Sequence, residues 1–247
     1  MIREDVALGS GMRTWSVLCD FDGTVAQEDV TDSLLMRFGR PGWDVLEVAW
    51  REGRIGSREC MAGQIALLDC SRDELDEHLA GMSVDPDFGR FAAAVRAVGA
   101  SITIVSDGLD YAIASILRRH GLGGLAVVAS RLVQTAPRRW KLEFPNARGD
   151  CVGASATCKC AWAAAPLVAP GTRVLMIGDG ASDFCVARRA DLSFASKRLL
   201  EHCLDNGIRH RAVANFAQAL ELWAELSTTT TRAGAVRLAS PCRDLPS

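Results

Sequence analysis

Residues 19–29 read CDFDGTVAQED and follow the apolar run WSVL at residues 15–18. An apolar run that ends in two aspartates flanking one phenylalanine predicts a buried strand delivering Asp20 and Asp22 at its carboxyl end. Gly23 allows a tight turn there, and the Thr24 hydroxyl is placed to hold it. Four more strand-like runs follow: SITIVSD at 101–107, AVVASRLV at 126–133, RVLMIGD at 173–179 and DLSFA at 191–195. Helical periodicity fills most of the spaces between them. In LDYAIASILRRHG, for instance, Ile113, Ile116 and Leu117 share one helical face and Gly121 is a natural stop. Alternation of this kind predicts an α/β fold, a Rossmann-like doubly wound and mainly parallel sheet covered by helices.

About 80 residues separate the first two strands, far more than a simple crossover needs. Met61, Ile65 and Leu68 recur at helical spacing, and SRDE at 71–74 reads as a capping box with Ser71 as N-cap and Glu74 reaching back. The expected organisation is a core domain at 1–30 and 85–226, interrupted by a small helical cap domain at 31–84. Within that insertion Trp43, Trp50 and Arg54 read mainly as packing and solvated face, with substrate contact as the other reading. The stretch 227–247, STTTTRAGAVRLASPCRDLPS, shows little periodicity and is expected to be a disordered tail.

With 28 Lys+Arg against 30 Asp+Glu, the chain has a formal charge of -2. It has no global basic field for nucleic acid or an anionic membrane, so a small-molecule partner is expected. The opening residues hold no apolar stretch of signal-peptide length, no run approaches a membrane span, and a cytoplasmic location is the expectation. The nine cysteines are scattered apart from Cys151, Cys158 and Cys160. That C-x6-C-x-C spacing lacks the paired knuckles of a structural zinc site and reads as a small-residue loop before a helix, with reduced thiols. The Leu/Trp-rich segment ALELWAEL at 219–226 suits either the core or the surface of a homodimer.

In an open parallel sheet, ligands bind beyond the carboxyl ends of the strands. The acidic clusters fall there: Asp20 and Asp22 after the first strand, Ser106, Asp107 and Gly108 after the second, Asp179, Gly180, Ser182 and Asp183 after RVLMIG. Four carboxylates meeting in one crevice repel one another unless a cation joins them, and a hard divalent ion with oxygen ligands, Mg²⁺ for preference, resolves the conflict. Asp20 would then be a carboxylate nucleophile toward phosphorus, and Asp22 the acid and later the base. Ser106 with the N–H groups of Asp107 and Gly108 suggests an anion nest. Lys159, in the first turn of an expected helix with no acidic neighbour in sequence, supplies the missing cation.

These stations, DFDGT, VSDG, Lys159 and GDGASD, in this order and with an insertion after the first, resemble the haloacid dehalogenase-like phosphatases, in particular the phosphoserine-phosphatase-like branch. A narrower resemblance, carried by VSDGLDYAI, the cysteine-containing loop ending in CK and the stretch from GDGASDFC to about Phe216, is to the 2-hydroxy-3-keto-5-methylthiopentenyl-1-phosphate phosphatases of methionine salvage. The resemblance implies Mg²⁺-dependent hydrolysis of a small phosphorylated metabolite through an aspartyl-phosphate on Asp20. It implies acid/base work at Asp22 and metal contacts at Asp20, Asp22 through its backbone carbonyl, Asp179 and Asp183. Thr24, Asp29, Ser106, Asp107, Gly108 and Lys159 fall on the substrate side, and Asp107 stands where close relatives often carry a second glycine. Two other outcomes fit the same motifs: a phosphotransferase or mutase that passes the phosphoryl group to an acceptor other than water, and a non-enzymatic phosphometabolite-binding protein.

Overall fold

The computed structural model describes residues 14–151, 153–164 and 171–236. Its strands are β1 (Trp15–Cys19), β2 (Ser101–Leu109), β3 (Ala126–Ala136), β4 (Arg139–Glu143), β5 (Arg173–Gly178), β6 (Leu192–Ala195) and β7 (His210–Ala212). They form one seven-stranded sheet in the order β4-β3-β2-β1-β5-β6-β7. Every pairing is parallel except the β3–β4 hairpin. The chain leaves β1 toward one edge through β2 and β3, then returns to the other side of β1 at β5. Such a reversal opens a crevice at the carboxyl ends of the two central strands. The doubly wound sheet expected from the sequence is the one observed.

Two strands were not expected. In β4, RWKLE, mostly exposed polar positions alternate with buried Trp140, and an antiparallel edge added by a short hairpin carries no long apolar run to announce it. The three residues of β7 are shorter than any periodicity.

Between β1 and β2 lie α1 (Val30–Phe38), α2 (Trp43–Arg51), α3 (Ser57–Ala66), α4 (Arg72–Ala80) and α5 (Phe88–Ala97). The first four belong to the insertion, which is closed at its base by an antiparallel bridge between Ala26 and Val84 and by the bond from Asp85 N to Val25 O at 2.8 Å. The capping box at α4 forms as expected, Ser71 Oγ accepting from Glu74 N and Glu74 Oε2 from Ser71 N. Beyond β2 come α6 (Asp110–Arg119), α7 (Lys159–Ala163), α8 (Phe184–Ala187), α9 (Lys197–Asp205) and α10 (Phe216–Val236).

ALELWAEL belongs to α10 and serves the core. Phe216, Ala219 and Trp223 are buried, with Phe216 edge-on to Phe88 of α5 at 4.8 Å and Trp223 edge-on to Trp15 at 6.3 Å. The same helix corrects the tail expectation for residues 227–236, which continue it to Val236. Ser227 Oγ and Thr228 Oγ1 donate back to the carbonyl of Ala224 at 3.1 and 3.0 Å. Hydroxyls turned onto the preceding turn fit inside a helix that a packed first half already nucleates. Residues 237–247 lie outside the described residues. Cys158 and Cys160 are buried with Leu18, Val105 and Met176 beneath the sheet, and the eight described cysteines are free thiols.

Candidate active site

Just past β1, Asp20 N still donates to Ile177 O at 2.9 Å, so the ladder continues one residue into the motif. The chain then curls around the carbonyl of Phe21, which accepts from Thr24 N, Val25 N and Ala26 N at 3.2, 2.9 and 2.9 Å. Phe21 itself is fully buried, an anchor contributing about 2–3 kcal/mol. Gly23 takes φ +69°, and a Cβ there would stand 2.6 Å from Asp179 Oδ2. Only glycine satisfies both the conformation and the approach.

This curl separates the tasks of the two aspartates. Asp20 Oδ1 accepts from Phe21 N at 2.8 Å, and Oδ2 pairs with Lys159 Nζ at 2.8 Å. Asp22 turns the other way: Oδ1 accepts from Val30 N at 2.9 Å at the start of α1, and Oδ2 accepts from Ser106 Oγ at 3.4 Å. A Cβ at Gly108 would run into Asp22 Oδ2, so this glycine is what lets β2 approach the carboxyl.

Lys159 is 3% exposed and reaches three partners: Asp20, Asp183 Oδ1 at 2.6 Å and Ser182 Oγ at 3.1 Å. Asp183, fully buried, also accepts from Asp179 N and Gly180 N at 3.1 and 3.2 Å, locking the turn after β5. Asp179 takes Thr24 Oγ1 on one oxygen at 3.0 Å and Lys197 Nζ on the other at 2.9 Å. Carboxylate oxygens of Asp20, Asp179 and Asp183 lie within 4.8 Å of one another. This all-oxygen, anionic donor set is able to hold a hard divalent cation.

The electrostatics follow from burial. Desolvation, reinforced by Asp183 and opposed by Lys159, raises the Asp20 carboxyl to about 7. Asp22 is pushed well above the carboxylate range by burial and by Asp29, against the Val30 N–H bond that favours its charge. Burial works against the charge of Lys159, yet Asp183, Asp20 and Asp107 outweigh it and raise its pKa. A proton is therefore favoured on Asp22 and on Lys159.

Above this floor lies a crevice of about 330 Å³, its core side lined by Asp20, Asp22, Ser106, Asp107, Gly108 and Asp179. Thr24 does not line it, because its hydroxyl is committed to Asp179. The expected anion nest also differs: Gly108 N donates to Ser106 Oγ at 3.0 Å and so serves to orient that hydroxyl. Asp29 is the N-cap of α1, accepting from Asp32 N at 2.9 Å, and it faces the crevice. The opposite wall comes from the insertion, through Asp32, Glu47, Trp50, Ser57, Met61 and Gln64. Trp43 packs against the core and Arg54 pairs with Glu52 at 2.6 Å, and neither lines the crevice. Sequence reasoning missed Lys197, which bonds Gly23 O at 2.8 Å as well as Asp179. Its place directly after a strand end, SFASK, was the available signal.

The profile of the haloacid dehalogenase-like hydrolases matches residues 17–188. The chain belongs to that family. It is 28% identical over 197 residues to the 2-hydroxy-3-keto-5-methylthiopentenyl-1-phosphate phosphatase of Exiguobacterium sp., covering 78% of this chain and 90% of that protein. To the protein of the same description from Bacillus velezensis it is 29% identical over 210 residues, covering 83% of this chain and 87% of that one. Among solved structures, a substrate-bound phosphoserine phosphatase shares the fold with a TM-score of 0.64 at 18% identity, over 85% of this chain and 98% of its own. The family membership and the doubly wound sheet expected from the motifs thus both stand. Among the described residues, no helix is long and apolar enough to cross a membrane.

Proposed function

We propose that this hydrolase is a phosphatase that removes the phosphoryl group of a small phosphorylated metabolite through a phosphoryl-enzyme intermediate on Asp20. The observation that carries this reading is the arrangement of Asp20 and Asp22 at one strand end. One carboxylate is held by Lys159 within an acidic trio, and the other, turned toward Ser106, favours its proton. Asp20, Asp179 and Asp183 would hold a divalent cation, Mg²⁺ being the one such oxygen donors suit, and that ion would supply neutralisation of the phosphoryl oxygens.

In this reading an oxygen of Asp20 attacks phosphorus, forming a P–O bond as the ester P–O bond breaks. Asp22 gives its proton to the departing oxygen, and the alcohol leaves. Lys159 and Ser106 bind the phosphoryl oxygens throughout. Water then attacks phosphorus while Asp22 takes up its proton, the bond to Asp20 breaks, and inorganic phosphate is released. The four helices of the insertion act as a cap whose wall selects the ester. The names of the relatives make 2-hydroxy-3-keto-5-methylthiopentenyl-1-phosphate the first ester to try, and the apolar surfaces of Trp50 and Met61 suit a tail without charge.

A panel of phosphorylated metabolites, with p-nitrophenyl phosphate as the generic ester, tests the proposal by phosphate release. Turnover that disappears with EDTA, returns with Mg²⁺ and yields free phosphate as the phosphorus product is expected. Unchanged turnover in EDTA, or transfer of phosphorus to an added alcohol in place of water, would contradict it.

A further inference from the structure

The Asp107 carboxyl on the crevice floor is bonded to two segments distant from β2 in sequence, the insertion and the loop that leads into α7. Its Oδ2 accepts from Ser57 Oγ, at the first residue of α3, at 2.7 Å. Its Oδ1 accepts from Thr157 N at 2.8 Å, two residues before Lys159. Its own carbonyl accepts from Ser130 Oγ of β3 at 2.8 Å, which fixes the backbone that carries it. Thr157 is fully buried, and Cys158 N donates to Asn146 O at 3.0 Å, so the segment entering α7 is tied on both sides.

The insertion touches that same segment directly. Arg58 N donates to Ala154 O at 3.2 Å, and a Cβ at Gly56 would stand 2.7 Å from Ala154 Cβ. Ala154 itself takes φ +43°, a left-handed backbone that an alanine adopts only when its surroundings impose it. The start of α3, the loop that delivers Lys159 and the residue after Ser106 therefore meet at one carboxylate.

We infer that Asp107 is a positioning residue that links the seating of the insertion over the crevice to the placement of Lys159. An α3 drawn onto Asp107 presses on the 154–157 backbone, and the Thr157 N–H bond holds the start of α7 where Nζ reaches Asp20. Releasing the Ser57 bond loosens the wall first, and removing the carboxyl releases both ties. The kinetic part of this inference rests on the phosphatase reading, whereas the coupling between α3 and the loop does not.

The test compares Ser57→Ala, Asp107→Ala, Asp107→Asn and the double variant Ser57→Ala/Asp107→Ala in the full chain, by hydrogen exchange with mass spectrometry and by steady-state turnover of p-nitrophenyl phosphate. Ser57→Ala is expected to speed exchange in both 57–66 and 153–158 and to raise KM about fivefold with kcat within about twofold, the scale of one lost hydrogen bond. Asp107→Ala should also lower kcat by about tenfold or more, since Thr157 N–H loses its acceptor. Asp107→Asn should recover to within about threefold of the parent: its carboxamide oxygen can accept from Thr157 and its NH₂ can donate to a reoriented Ser57 hydroxyl. The double variant should match Asp107→Ala in both readouts.

An Asp107→Asn variant as impaired as Asp107→Ala would overturn the inference, because the negative charge and not the two bonds would then matter. So would Ser57→Ala with unaltered exchange in 153–158, or a double variant whose loss is the product of the single losses. If the parent chain turns over no ester, the phosphatase reading fails while the exchange comparison still decides the link between α3 and the loop.

Discussion

The floor and the wall of the crevice are built on different rules. On the floor, each side chain is fixed by contacts among strand ends: Asp20 by Phe21 N and Lys159, Asp179 by Thr24 and Lys197, Asp183 by two backbone N–H groups and Lys159. On the wall, Glu47, Trp50, Met61 and Gln64 come from helices whose mutual packing decides which of them faces inward. In the proposed reading, chemistry is thus attached to the constrained ends of the sheet and selectivity to an appended layer that meets the floor at Ser57 and Asp107.

The sharpest way to break that contrast is on the floor. Asp20→Asn is expected to lower p-nitrophenyl phosphate turnover by ~10⁴-fold or more, since it replaces the attacking group. Substantial retained turnover would place the nucleophile elsewhere. Lys159→Ala comes next. It removes the ammonium shared by two buried carboxylates, and breaking a buried pair from one side costs about 3–5 kcal/mol. Turnover should fall ~10²-fold or more with a clear drop in Tm, both measurable on the same preparation. A Tm equal to the parent's would show that Asp20 and Asp183 do not depend on it.

What the sequence revealed follows the same division. Asp20, Asp22, Lys159, Asp179 and Asp183 were legible because each follows a strand or opens a helix, and Ser106 because it lies near the carboxyl end of β2, where the position of a residue in the chain determines its position in space. Thr24 was legible as a residue that holds the turn, though its partner, Asp179, is 155 positions away and carries no local signal. The sheet's interior strands announced themselves by buried apolar runs, while β4 and β7 sit at the edges where such runs are not needed. Trp43, Trp50 and Arg54 looked alike in sequence, yet only Trp50 lines the crevice, a matter of which helix face meets the core. Helical continuation past Ser227 depends on Phe216 and Trp223 packing upstream, which the Thr-rich composition hides.

Changes on the wall should sharpen the contrast and leave the chemistry intact. Replacing Trp50 by Ala, or Glu47 by Gln, is expected to alter the ranking within a panel of phosphate esters, with KM for the best ester rising about tenfold. For p-nitrophenyl phosphate, kcat should stay within about threefold. A parallel loss of kcat on every ester would mean that the wall takes part in the reaction itself.

The smallest expected effect concerns Asp32. Burial, then Asp29 and Glu47, raise its carboxyl to about 6, above the usual value near 4. Its folded pKa exceeds its unfolded one, so ionisation costs folding stability. That cost is absent below about pH 4, grows as pH rises and is complete above about pH 6. Asp32→Asn should therefore melt about 2–4 °C above the parent at pH 8 and level with it at pH 4. A difference that does not change between the two would rule out this origin.

The most direct measurement asks where phosphorus resides during turnover. Enzyme mixed with p-nitrophenyl phosphate and Mg²⁺, quenched rapidly and treated with borohydride, converts an aspartyl phosphate to homoserine, which peptide mass spectrometry locates. Homoserine at position 20, absent without substrate and absent in Asp20→Asn, is the expected result. Continued turnover with an unmodified Asp20, or with homoserine at another aspartate, would contradict the assignment of this residue as the nucleophile.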